Sequence, residues 1–329
     1  MYKKLTIKKL AFLFVFLLVL VVLVLLKDQK KGKDTFRTDL FETDTAEITA
    51  LIIHPKASQN EPFTLAKEKS VWLLKSGDKE YSADAGMVKE MLRTLNDLRA
   101  TRVAATDKAR WKEFEVDDSS ATKVLVIKGK KIVSTLYLGK FSYTMPKNTN
   151  PYDYYNRQPK ISTYVKIGDE KYVYVVEGFL SMVFNRSIND FRDKTIIQSN
   201  QNDWKRLTFS YPADSSFTLI KEKGSWYLDG TMIDSAQAYA YLSSIAWVTS
   251  EDFVDEQKPV SGKPEYSLKI EGDNMVKPVV IKAFASDTTN GYLITSNLNE
   301  GIYFSGKLSG VLDRVFISRN RLLINPGTK

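Results

Sequence analysis

The stretches that decide the fold are FTLAKEKSVWLL, Phe63–Leu74, and FTLIKEKGSWYL, Phe217–Leu228. They agree at eight of twelve positions and lie 154 residues apart. In each, a phenylalanine and a leucine alternate with polar residues, a Lys-Glu-Lys run turns, and a tryptophan and a leucine return on one face. Alternation, turn and alternation make a β-hairpin. A second match follows in the same order. Gly178–Arg186 (GFLSMVFNR) and Gly306–Arg314 (GKLSGVLDR) share glycine, leucine, serine, valine and arginine in register, and Asn185 has its polar counterpart in Asp313. Two matches in one order imply a duplicated domain, with a period too long for a solenoid.

The rest of each copy follows from local pattern. A β-rich run, Ile48–Ile53, precedes the first hairpin. Met87, Met91, Leu92, Leu95 and Leu98 fall at helical spacing and predict an amphipathic helix over Ala85–Arg99. Hairpins follow at Val124–Ile127 with Ile132–Leu138 and at Tyr164–Ile167 with Tyr172–Val176, then a short helix over Gly178–Arg186. The second copy predicts a helix over Ser235–Trp247 and strands at Tyr266–Ile270, Val276–Ala283, Tyr292–Thr295 and Ile302–Phe304. Hairpins dominate and no βαβ rhythm appears. The expected fold class is α+β, two tandem antiparallel-sheet-plus-helix units over 47–198 and 204–322 behind an N-terminal transmembrane helix. The division falls in the polar stretch Ser199–Asp203.

The offset between copies drops from 154 to 128, so the first carries 26 more residues. Most lie in Phe141–Ser162, expected as a long aromatic loop. A loop that one copy has and its sister lacks is a place for function, and Tyr143, Tyr152, Tyr154 and Tyr155 are its candidate partner- or ligand-contacting residues.

LAFLFVFLLVLVVLVLL, Leu10–Leu26, contains no polar side chain and has lysine clusters on both sides. That pattern predicts a membrane-spanning anchor, with residues 1–9 as a basic cytoplasmic tail and 27–46 as a tether. No small-residue cleavage site follows the run. The expected setting is single-pass in the cytoplasmic (inner) membrane, the lipid bilayer contacted through Leu10–Leu26 and the bulk of the chain outside. Of the net charge of +9, the first 33 residues carry +7, leaving +2 for the remainder. Nucleic acid binding is not expected of so balanced a body.

Reactive chemistry is sparse. The chain has no cysteine and one histidine, His54, directly before Pro55. A Ser-His-Asp triad would need that histidine, and no G-x-S-x-G, phosphate-loop, dinucleotide or calcium-loop pattern accompanies it. Glu177, Asp190 and Asp193 cluster, but Arg186, Arg192 and Lys194 interleave them as ion pairs or a solvated face would. Trp72 and Trp226 occupy equivalent strand positions and read as core anchors. No catalytic residue, cofactor or metal site is expected.

The order of a strand, an F-x-L…W-x-L hairpin and a helix is followed by Trp111-Lys112-Glu113-Phe114 before Ala121–Ile127. Tyr172–Val176 then leads into Phe191-Arg192-Asp193-Lys194. This order resembles a bacterial domain-of-unknown-function (DUF) family of single-anchor proteins. Its members are typically encoded beside gliding-motility-type ABC transporter subunits. The resemblance implies a membrane-anchored, extracytoplasmic accessory or scaffold protein acting by protein–protein contact, with a membrane partner of ABC transporter type. It carries over no catalytic residues. The alternative is an envelope glycan- or lipid-binding module that uses the Tyr152–Tyr155 loop.

Overall fold

A computed structural model describes residues 36–58, 61–145, 159–255, 262–286 and 291–323. The chain forms two compact units, residues 1–79 with 86–187, and residues 80–85 with 188–329.

The first unit contains β1 (Ala50–His54), β2 (Phe63–Glu68), β3 (Val71–Ser76), α1 (Ala85–Asn96), β5 (Ala100–Ala105), β6 (Thr122–Lys128), β7 (Lys131–Thr144), β8 (Lys160–Ile167), β9 (Val173–Glu177) and α2 (Ser181–Phe184). Most of the short strand β4 (Lys79–Ser82) groups with the second unit. Within the first unit the sheet runs β3-β2-β1-β6-β7-β8-β9-β5, each of these neighbours antiparallel.

The second unit contains β10 (Thr195–Gln198), β11 (Trp204–Ser210), β12 (Phe217–Glu222), β13 (Ser225–Leu228), β14 (Thr231–Met232), α3 (Ser235–Ile245), β15 (Trp247–Thr249), β16 (Tyr266–Gly272), β17 (Val279–Ala285), β18 (Tyr292–Ser296), β19 (Asn299–Ser305), α4 (Val311–Val315) and α5 (Arg319–Leu323). Its main sheet runs β14-β13-β12-β11-β16-β17-β18-β19, and β10 pairs with β15 separately.

The two sheets pass through one order of strands, and their registers coincide. Ile53 pairs with Phe63 on one side and Val124 on the other, and Val124 pairs with Leu136, which pairs with Ile167. In the second unit the row is Phe217, Phe209, Leu268, Ile281 and Ser296. All ten side chains are buried. A one-residue slip in either sheet would turn its row to solvent, so burial holds the register.

Both signature hairpins close on two residues, between Glu68 and Val71 and between Glu222 and Ser225. Lys69, Lys223 and Gly224 take positive φ there, as tight hairpins require. The turn is therefore shorter than the Lys67–Ser70 run suggests, because Lys67 and Glu68 remain in the ladder.

Helix α1 buries Val88, Met91 and Leu95, the three- and four-residue spacing of one face. Helix α3 buries Ala238, Tyr241, Leu242 and Ile245 into a core shared with Leu207, Phe209, Leu219, Leu268 and Phe304. The side chain of Asp234 caps it by accepting from the Gln237 amide. Both helices end before the sequence suggests, at Asn96 and Ile245, because the chain is drawn into ladder bonds. The Leu40 amide donates to the Leu98 carbonyl, and the Ser199 amide donates to the Ala246 carbonyl.

Two expected boundaries are corrected. Residues 38–46 do not behave as part of a tether: Leu40 and Phe41 are buried, and Ala100 donates to the Thr38 carbonyl. Ser199–Asp203, where the sequence places the division, lies inside the second unit. Asn200 caps the turn Gln201–Asp203, as Asp44 caps Thr45–Glu47, each accepting from the amide two residues on. The stretches 38–54 and 194–210 thus repeat the same local structure, and the unit boundary falls at Ser187/Ile188.

The anchored fold class is also corrected. Among the described residues no helix is long and apolar enough to cross a membrane, and Leu10–Leu26 lies outside them. The longest described helix, α1, has 12 residues, about 18 Å at ~1.5 Å per residue, against a hydrocarbon core of about 30 Å. Among the described residues the fold is mostly antiparallel β-sheet, 45% strand and 20% helix, and the expected transmembrane helix, its bilayer contact and the single-pass inner-membrane placement are not supported by them.

Candidate interaction site

Strand β7 is fourteen residues long, whereas its counterpart β17 has seven. Part of the difference is a β7–β8 ribbon that continues past Phe141↔Thr163 through Ser142↔Ser162, Tyr143↔Ile161 and Thr144↔Lys160. In the sister unit the pairing stops at Ala285↔Tyr292. The expected loop over Phe141–Ser162 is therefore strand at both its ends, and Tyr152, Tyr154 and Tyr155 lie outside the described residues.

Side chains two apart share a strand face. Phe141, Tyr143 and Met145 follow that spacing and are 52, 69 and 60% exposed. The Phe141 ring lies 4.6 Å from the Phe179 ring, at 53°, and Met182 on α2 is also exposed. A register shift between Leu138 and Phe141 adds an extra residue to the ribbon at its root. Such bulges re-aim the side chains beyond them. The result is a row of exposed apolar side chains, Phe141 and Tyr143 on paired backbone and Met145 one residue past its end.

The other face of this sheet is covered by the segment after Asp107. Phe114 and Val116 are buried there with Tyr137, Val173, Ala105 and Ala121, and Trp111 and Tyr164 pack around them. The close approach depends on Gly139. A Cβ there would lie 2.1 Å from the Phe114 carbonyl oxygen and 2.8 Å from Val116 Cγ1, and the neighbouring Lys140 amide donates to that carbonyl at 3.1 Å.

Under this segment lies Lys166, 2% exposed. Its ammonium sits 3.3 Å from the Tyr137 ring centroid and 4.4 Å from that of Trp111, and it donates to the Gly168 carbonyl at 2.7 Å. Burial lowers its pKa to about 8, against opposing attraction from Asp118 and Asp169. Nearby, burial raises Asp117, but the hydroxyls of Ser119 and Ser120 and the Ser119 amide outweigh it and hold the carboxyl at about 2.

The second unit holds a buried cation of its own. Arg192, 1% exposed, lies between the rings of Tyr81 and Phe253, 3.9 and 3.7 Å from their centroids. It donates twice to Asp255, at 2.7 and 2.8 Å, while its Nε is buried without a partner among the described residues. A planar guanidinium is suited to this combination of stacking and a forked carboxylate contact.

The remaining groups singled out in the sequence do not converge. His54 ends β1 opposite Lys123, half-buried. Asp193 accepts from the Thr195 amide at 2.9 Å, Lys194 pairs with Glu251 at 2.5 Å, and Glu177 is exposed at the end of β9. Among the described residues no group of three or more His, Cys, Asp or Glu could hold a metal ion. Sequence reasoning passed over Phe141 and Met145. The signal was present as the alternation Phe141-Ser142-Tyr143-Thr144-Met145, obscured by the Gly139-Lys140 break before it.

The fold defines a class, the duplicated antiparallel-sheet proteins with, among the described residues, a single long helix in each unit. The chain belongs to the family described as a domain of unknown function, DUF4340, whose model matches residues 72–269, well over half its length and parts of both units. No curated protein and no solved structure matches it.

Proposed function

We propose that this chain is a non-enzymatic accessory or scaffold protein that acts by protein–protein contact. Its partner on this reading is a subunit of an ABC-type transporter or gliding-type complex. The observation that carries the reading is the exposed apolar row Phe141, Tyr143 and Met145 on the β7–β8 ribbon, an extension that the sister unit lacks. Burying a large apolar side chain on association contributes about 1.5–3 kcal/mol, and aromatic and methionine side chains are enriched where proteins meet. The partner class comes from the family resemblance, since DUF4340 itself carries no assigned activity.

The test is co-purification after mild cross-linking in the native cells, comparing the natural chain with a Phe141→Ser, Tyr143→Ser, Met145→Ser variant. Recovery of a transporter subunit with the first and its loss with the second supports the reading. Recovery of the chain alone, or undiminished recovery with the variant, counts against it. Loss of binding to purified envelope glycans, with protein partners unchanged, would instead favour a glycan-binding module.

A further inference from the structure

The shared register allows the outer faces of the two sheets to be compared position by position. In the first unit the cross-strand row Lys123–Tyr137–Lys166 lies on that face, and in the second the row is Ser267–Lys282–Thr295. The first row is roofed by the segment between β5 and β6. The roof places Trp111 over Lys166, sets Phe114 4.6 Å from Tyr164, and brings the Asp118 carboxylate to 3.2 Å from Lys123 Nζ. It thus supplies two aromatic rings and a carboxylate.

The second unit differs in sequence at this point. Sixteen residues separate Ala105 from Thr122, but only ten, EQKPVSGKPE, separate the corresponding Asp255 and Tyr266, and none of the ten is aromatic. The matching face carries a cleft of about 420 Å³ whose lining includes Val280, Lys282, Phe284, Thr295, Glu300 and Tyr303. Lys282 is exposed and has no carboxylate partner among the described residues. Phe284 and Tyr303 are only half-buried.

We propose that this cleft is a docking site for a segment of another polypeptide that lays an aromatic side chain beside Phe284 and Tyr303 and sets a carboxylate on Lys282. That is the chemistry that Trp111–Asp118 supplies to the first sheet. A second copy of the chain is not the occupant, because its own Trp111–Asp118 segment is already packed on its own sheet. Phe284 follows Ala283 where Gly139 follows Leu138 in the sister, so the incoming backbone is held further off than the Phe114 carbonyl is. Contact therefore runs through side chains, as suits a partner that binds and leaves. This surface belongs to the second unit and does not depend on the ribbon reading.

The test uses the full chain and a fluorescent peptide of sequence RWKEFEVDD, the stretch Arg110–Asp118. Fluorescence anisotropy is expected to give saturable binding. Affinity should fall at least about tenfold when the peptide's tryptophan and phenylalanine become alanine, or when its acids become amides. Lys282→Glu, a surface change that leaves the core intact, and Phe284→Ala should each weaken binding by about tenfold or more, while Phe141→Ser leaves it unchanged. Absence of saturable binding up to about 1 mM peptide, or affinity that survives Lys282→Glu, overturns the proposal. Self-association of the chain in sedimentation that Lys282→Glu abolishes would assign the cleft to a second copy and overturn it equally.

Discussion

Gly139→Ala tests how the first unit is held together. The new methyl would sit 2.1 Å from the Phe114 carbonyl oxygen and 3.1 Å from that of Glu115. Real Cβ atoms do not come that close to backbone, so either the roof or β7 must move. Complete undocking exposes Phe114 and Val116, now 6 and 0% exposed, at about 1.5–3 kcal/mol each. It also breaks the Lys140–Phe114 backbone bond, worth about 1 kcal/mol. The ceiling is therefore about 4–7 kcal/mol, and a strained but docked roof would cost about 1–3 kcal/mol. The expected loss is about 3 kcal/mol, confined to the first unit. With an m-value of about 1–3 kcal/mol/M, the first unit's urea midpoint should fall by about 1–3 M while the second unit's stays in place. Hydrogen exchange would locate the change at the amides of Lys140 and Val116, which now bond to Phe114 and Trp111. A midpoint within ~0.3 M of the natural chain, with both amides still protected, would refute the reasoning.

Four further outcomes follow from the charged groups and the ribbon. Asp255→Ala removes the carboxylate from Arg192 and leaves a buried cation. Because Asp255 is partly exposed, the second unit should lose stability near the lower end of about 3–5 kcal/mol, measured by urea unfolding. Lys166 has a folded pKa below that of the unfolded chain, about 8 against 10.5, so the unfolded chain binds more protons between those values and stability rises with pH across that window. Lys166→Met should flatten that rise, which chemical denaturation at pH 8 and pH 10 would measure. The Asp117 carboxyl is also lowered and acts with the same sign in its own window, its contribution being present above its unfolded value of 3.8 and lost as pH falls through about 2; acid unfolding of a Ser119→Ala, Ser120→Ala variant should begin at higher pH. The Phe141→Ser, Tyr143→Ser, Met145→Ser variant should keep the natural thermal midpoint, since all three side chains are exposed.

How legible the fold was depended on whether side-chain alternation survived. It survives in β2 and β12, where buried Phe63 and Leu65, and Phe217 and Leu219, stand two apart. It fails in β11, where buried Trp204 and Leu207 stand three apart. The ladder bulges there over Gly272, whose added Cβ would meet the Asp203 carbonyl at 2.0 Å. Strand β5 carries two register shifts and shows no clean period either. Strands β4 and β14 are short and largely polar, and Leu40 with Phe41 is too brief an apolar pair to show a period. Lys166 reads as one more surface charge, because only the packed structure places Tyr137 and Trp111 around it. The ribbon was visible as an insertion but not as a strand, since a repeat offset reports length and not pairing.

The central claim, that the chain works by touching another protein through its ribbon, is tested most directly by a photo-reactive amino acid in place of Tyr143. The account predicts a discrete adduct, formed on illumination of intact cells, that contains a transporter-type subunit and disappears when Phe141 and Met145 are also changed to serine. An unreacted chain would contradict it, as would adducts that persist through those changes.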